Sequence, residues 1–247
     1  SRSASASAFL RSASCFLRSA RSMAMSASVG CAATGGGGAI SAYTDTTITV
    51  EDSRLTHNSG AWGGAIASDA SNIYVKTSRI SRNTATTYNG GGLDINNSTL
   101  NIYNTLISDN TAAADGAGLW IANDASAGIR NTTIAGNTAG LYTGGATVYF
   151  ANATFTNAVI WGNSGGLTNT QDTNLVYYGT TSGTPHYSSV QGWNGSLGGL
   201  NNNANSPLFS GITIFPNPAT DVSNVSFVLR ERTAIARNLG ARLFISI

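Results

Sequence analysis

The sequence predicts an all-β solenoid, a parallel β-helix whose short strands stack coil upon coil with about 26 residues per coil. Three observations predict it. A tetrapeptide of the form aliphatic-x-x-Asn recurs as Leu55–Asn58, Ile80–Asn83, Ile107–Asn110, Ile134–Asn137 and Ile160–Asn163, its asparagines 25, 27, 27 and 26 residues apart. Apolar residues alternate at period two, as in Ile48-x-Val50, Ile73-x-Val75 and Leu93-x-Ile95, which argues against an amphipathic helix. The units are also rich in Thr, Ile, Val, Tyr, Asn and Gly, and poor in the strong helix formers.

Each position of the unit follows in order. Eight places before each asparagine stands a large apolar residue, Val50, Val75, Ile102, Ile129 or Phe155, which predicts a strand facing a core. Five places before it stands a small residue, Ser53, Ser78, Thr105, Thr132 or Ala158. A hydroxyl residue follows it directly, at Ser59, Thr84, Thr111, Thr138 and Ser164. Glycine-rich steps then end at Gly64, Gly92, Gly118 and Gly145, with an earlier copy ending at Gly38. Three short strands per coil, joined by Asn and Gly turns, account for the length. Pro is absent until Pro185, which suits ladders that need every N–H. The asparagines Asn58, Asn83, Asn110, Asn137 and Asn163 are expected to stack their amides in one turn as a structural column. The glycines are expected to take positive φ at a second corner. One coil alone cannot offset its backbone entropy of about 1–2 kcal/mol per residue, so the coils must share their burial and hydrogen bonds.

Composition narrows the partners. Only 10% of the 247 residues are charged, against 41% hydrophobic. The net charge of +2 comes from the two ends, because residues 45–210 hold five Lys/Arg against nine Asp/Glu. That balance disfavours a nucleic-acid groove. No apolar run reaches the roughly 18 residues of a transmembrane helix. Cys15 and Cys31 both lie near the N-terminus, so neither disulfides nor a thiolate metal site is expected to hold the repeats. No metal site and no cofactor is expected.

The steps Gly37-Gly38-Ala39-Ile40 and Gly63-Gly64-Ala65-Ile66, with the aliphatic-x-x-Asn motif, resemble the repeats of the chlamydial polymorphic outer-membrane proteins. More broadly they resemble the secreted, right-handed β-helix proteins of the pectin-lyase-like superfamily. The likeness covers about residues 37–210. Asn157–Asn163 is similar to that group's terminal coil, and Ser189–Gly192 and Ser206–Phe209 to its closing segments. It implies a right-handed, single-stranded helix and export, and it extends to fold rather than to activity. Ile212–Asp221, followed by the strand-like Ser226–Leu229, is similar to the start of the type IX secretion C-terminal sorting domain of Bacteroidetes. That resemblance implies a bacterial secretion machinery as partner and a secreted or outer-membrane-associated location. The 37 residues after Ser210 read as a truncated copy. The expected organisation is a low-complexity, disordered segment over 1–36, the β-helix over 37–210 and a partial sorting domain over 211–247.

The chemistry-bearing residues are sparse. No coil contributes an acidic column; the acids Asp52, Asp69, Asp94, Asp109, Asp115 and Asp124 fall singly. No catalytic residue is assigned. One place before the asparagines, His57, Arg82 and Asp109 should lie above one another, as an exposed Arg82–Asp109 ion pair or as an acid/base group. The outward positions of one strand should carry Thr49/Glu51, Tyr74/Lys76, Asn101/Tyr103, Gly128/Arg130 and Thr154/Thr156. Stacked Tyr74 and Tyr103, flanked by Lys76 and Arg130, form a candidate carbohydrate-binding face; cross-strand pairing that stabilises the sheet is the other reading of the tyrosines. The expected function is an exported, cell-surface structural or adhesive protein that binds a polysaccharide or a host or cell-surface glycan, without catalysis. The alternative is a polysaccharide lyase or glycoside hydrolase of the same fold.

Overall fold

The computed structural model describes residues 24–179 and 182–204. Cys15, the rest of residues 1–23, the closing Ser206–Phe209 and the sorting-like segment 211–247 lie outside the described residues. Within those described, the chain winds into an all-β, parallel solenoid of about six coils.

Each coil contributes to three main sheets in turn. The first holds Ile40–Tyr43, Ile66–Asp69, Leu93–Asn96, Leu119–Ala122, Ala146–Tyr149 and Leu175–Tyr178. The second holds the first half of Thr47–Thr56, then Asn72–Lys76, Thr99–Tyr103, Ser126–Arg130, Asn152–Thr156 and Pro185–His186. The third holds the second half of Thr47–Thr56, then Arg79–Ser81, Leu106–Ser108, Thr133–Ala135, Val159–Trp161 and Ser189–Val190. A fourth, two-residue ladder follows each asparagine: Ser59–Gly60, Thr84–Ala85, Thr111–Ala112 and Thr138–Ala139, with Ser164 bridged below. This ladder adds to the three strands per coil expected from sequence; it is short because the chain leaves it at once for the glycine-rich loop. Pairing also starts before the first full coil. Ala24–Val29 pairs in parallel with Thr47–Thr56, and the Cys31 N–H donates to Asn58 Oδ1 at 3.0 Å, taking the place of an asparagine.

Period-two alternation builds the core. Ile48 and Val50 lie over Ile73 and Val75, then Leu100 and Ile102, and each is 2% exposed or less. Leu55, Ile80, Ile107, Ile134 and Ile160 form a second buried column, and Ile66, Leu93 and Leu119 a third. Burying one such side chain stabilises by roughly 1.5–3 kcal/mol.

The asparagine column is a continuous hydrogen-bonded ladder. Asn110 Oδ1 accepts from the Asn83 N–H (3.0 Å) and from Asn83 Nδ2 (2.9 Å). Asn110 Nδ2 donates on to Asn137 Oδ1 (2.9 Å) and back to the Ile80 carbonyl (3.0 Å). Asn83, Asn137 and Asn163 repeat the pattern. Each amide thus closes one turn and the next together, which a buried polar side chain must do to avoid a loss of about 1–3 kcal/mol per orphaned group. The ladder ends on Asn174 Oδ1, 2.9 Å from Asn163 Nδ2, at the end of a short helix, Thr170–Asn174.

The expected positive φ of the glycine steps is present, but the other corners turn mostly without glycine. Three columns of left-handed backbone turn the chain, and most of their members carry side chains: Asp52, Thr77, Asn104, Asn131 and Asn157 (φ +46 to +52), then His57, Arg82 and Asp109 (φ +56 to +57), and Thr44, Ala70, Asn97, Asn123 and Phe150 (φ +44 to +55). At the first, the small residue that follows serves as a cap. Ser78 Oγ accepts from the Ser53 N–H at 3.1 Å and donates to the Lys76 carbonyl at 2.6 Å. Of the glycines, Gly36, Gly63, Gly90 and Gly116 take positive φ (+51 to +69) as expected, but Gly64 is required for a different reason: a Cβ there would lie 2.2 Å from the Gly91 carbonyl oxygen of the next coil. The steps ending at Gly64, Gly92, Gly118 and Gly145 are sites of close backbone approach.

Candidate functional site

The outward side of the second sheet carries three ladder columns, of which the last two concern the candidate face. One runs Thr49, Tyr74, Asn101, Gly128, Thr154; the other runs Glu51, Lys76, Tyr103, Arg130, Thr156, His186. Their inward neighbours, Val75, Ile102, Ile129 and Phe155, are fixed in the core, so the pleat leaves these residues no other face. Tyr103 is 46% exposed, Lys76 and Arg130 are exposed, and Tyr74 is half-buried.

The register corrects one detail. Tyr74 and Tyr103 do not stack one above the other, because Tyr74 occupies the middle outward position of its strand and Tyr103 the last. They are diagonal neighbours in adjacent coils, and the residues directly above and below Tyr103 are Lys76 and Arg130. The Arg130 guanidinium lies over Gly128, where a side chain would crowd it: a Cβ there would sit 3.3 Å from Arg130 Nη1 and 3.4 Å from Asn101 Oδ1. The face therefore offers an exposed aromatic ring between two cations, bordered by amide and hydroxyl groups. Such a surface can take the apolar face of a sugar ring against tyrosine and its hydroxyls against the donors around it.

His57, Arg82 and Asp109 lie in one column, since each N–H donates to the residue before its partner in the next coil. Their shared left-handed backbone is a turn requirement. Asp109 Oδ2 accepts from Ser108 Oγ at 3.0 Å.

Sequence reasoning missed the outer side of the first sheet. There the glycine-rich loops fold back over the strands and bury Ala67, Asp94, Thr147 and Val176. Asp94 accepts from Asn96 Nδ2 through one oxygen, while its other oxygen, Oδ2, is buried without a partner. Burial pushes this carboxyl up to about 7 against the opposing hydrogen bond from Asn96. Asp115 is also buried, and its carboxyl is raised by burial although Oδ1 accepts from the Gly116 N–H (2.7 Å), the Thr143 N–H (2.8 Å) and Thr147 Oγ1 (2.9 Å). Near the same loops Trp62 stacks on Tyr88 with ring centroids 3.7 Å apart, and Trp120 on Tyr149 at 5.6 Å. The only signal in the sequence was a polar residue alternating with Leu93 and Ile95, which reads as solvent-facing when the covering loop is unknown.

Among the described residues no group of three or more His, Cys, Asp or Glu is placed to hold a metal ion, and no helix is long and apolar enough to cross a membrane. A family model described as the right-handed beta helix region matches residues 23–182, beginning where the first ladder begins. No curated protein and no solved structure matches the chain.

Proposed function

We propose that this chain, which belongs to the right-handed β-helix family, is an exported cell-surface structural or adhesive protein whose second sheet binds carbohydrate. One observation carries the reading: the core holds Tyr103 outward between Lys76 and Arg130, with Tyr74 on the diagonal, on an otherwise polar face. The flat ladder presents these groups without needing to reorganise, which lowers the entropic cost of binding an extended polymer. Export is supported by the sorting-like sequence Ile212–Asp221 and by the resemblance to secreted β-helices. A non-catalytic role is supported by the acids. Asp94, the carboxyl nearest neutrality, is enclosed under the loop at Gly90, where a substrate does not reach it.

The test is retention of neutral and acidic glycans by the purified chain, with product release followed in the same samples. The expected result is retention that Tyr103→Ala weakens about tenfold and Tyr74→Ala less, with the melting temperature little changed. Retention indifferent to both substitutions overturns the binding face. Sustained release of unsaturated or reducing-end product overturns the non-catalytic reading in favour of the lyase or hydrolase alternative.

A further inference from the structure

The described body of the chain is acidic, yet its basic residues are not spread out. Of the five Lys/Arg between residues 24 and 204, four, namely Arg54, Lys76, Arg79 and Arg82, fall within the first two repeats. The third sheet makes Arg54 and Arg79 direct ladder partners, a spacing of about 4.7–4.9 Å between strands. Both occupy outward positions, since Leu55 and Ile80 beside them are fully buried. Arg82 follows three residues after Arg79, on the left-handed turn that ends the strand, and its side chain is exposed.

Charge at this place is unbalanced. The half-buried Arg79 guanidinium is held below its ordinary value by burial, then by Arg82 and by Arg54, and Asp109 is the one carboxylate that opposes them. Asp109 is itself engaged by Ser108 Oγ. Arg79 Nε donates to Ser81 Oγ at 3.0 Å, which restrains its guanidinium and leaves its terminal nitrogens out of that bond. Crowding like charges on a rigid ladder opposes folding. Guanidinium groups so placed form a ready-made fork for a multiply charged oxyanion, because each presents parallel N–H donors to two oxygens.

We infer that Arg54, Arg79 and Arg82 form a binding site for a sulfate or phosphate ester group, separate from the tyrosine face of the second sheet. On this assignment the third sheet reads the charge of a substituted polymer, while the second sheet reads its sugar rings.

The experiment compares retention of dextran sulfate, inorganic polyphosphate and unsubstituted dextran by the full chain. The double variant Arg54→Gln/Arg79→Gln is set against Lys76→Gln/Arg130→Gln, which removes the same charge from the other sheet. The expected result is retention of at least one anionic polymer, weakened about tenfold or more by the first variant and much less by the second. The stronger of the two anionic polymers tells whether the site prefers the sulfate or the phosphate oxyanion. If the first variant fails to fold, Arg82→Asn, which suits the left-handed turn, is expected to give a smaller loss in the same direction. Equal weakening by the two double variants, or no retention of either anionic polymer, overturns the inference. Loss of plain dextran binding through Tyr103→Ala reports only on the second sheet, so the two readings fail separately.

Discussion

The asparagine corner and the glycine side of the same coils solve one problem in opposite ways. Both must turn the chain while keeping polar groups out of contact with the core. At the asparagine corner every coil uses the same side chain, and each amide satisfies its neighbours above and below. On the glycine side the loops differ in length, running over residues 61–65, 86–92, 113–118 and 140–145, and each coil improvises. Asp115 finds three donors there, whereas Asp94 leaves one oxygen orphaned, and Ser68 Oγ is orphaned on the inner side of the same sheet. A repeated solution can be perfected once and copied, but an individual one carries its own defects.

The sharpest way to break this comparison is Asn110→Ala. It strands the Asn83 N–H and one of the two Nδ2 hydrogens below the surface and removes the donor to the Ile80 carbonyl. The expected loss is about 3–5 kcal/mol in a denaturant titration. A loss below about 1 kcal/mol would make the ladder ornamental.

The opposite sign is expected for Asp94→Asn. The folded carboxyl titrates at about 7, whereas its unfolded counterpart titrates near the ordinary 3.8. Between those values the folded state holds a proton that the unfolded state has released, so stability falls as pH rises from about 4 to 7 and stays low above. The variant should abolish that fall, gaining on the order of 2–4 kcal/mol at about pH 8 and almost nothing at about pH 3. Melting curves across that range decide it; a parallel pair of profiles would mean that Asp94 is solvated.

Gly64→Ala tests close approach rather than backbone handedness. The added methyl meets the Gly91 carbonyl oxygen, and the expected cost is about 1–3 kcal/mol by thermal unfolding. The smallest effect is expected at the loop aromatics. Tyr88→Ala removes the stacked partner of the 40% exposed Trp62, for a loss of about 0.5–1.5 kcal/mol and a shift in tryptophan fluorescence.

The same contrast explains which features are legible in the sequence. The inward columns from Val50 to Phe155, the asparagine ladder and the pairing of Tyr74 with Asn101 all follow from counting along one period, because each coil repeats them in register. Asn174 escaped because it joins the ladder from a helix, 11 residues after Asn163 rather than about 26. Asp94 escaped because its burial depends on a loop whose path no periodicity encodes. The diagonal of Tyr74 and Tyr103 also follows from the period, because Tyr103 stands 27 residues after Lys76 and 29 after Tyr74. Arg54 and Arg79 each stand four places before an asparagine, so the same count makes them neighbours, and the ladder pairs them.

Hydrogen exchange at the asparagines tests the central claim most directly. If coils stack as described, the backbone N–H of Asn58, Asn83, Asn110 and Asn137, each bonded to the side chain of the next coil, exchange only with global unfolding. Exchange of these four amides at rates typical of exposed loops would contradict the solenoid and everything built on its register.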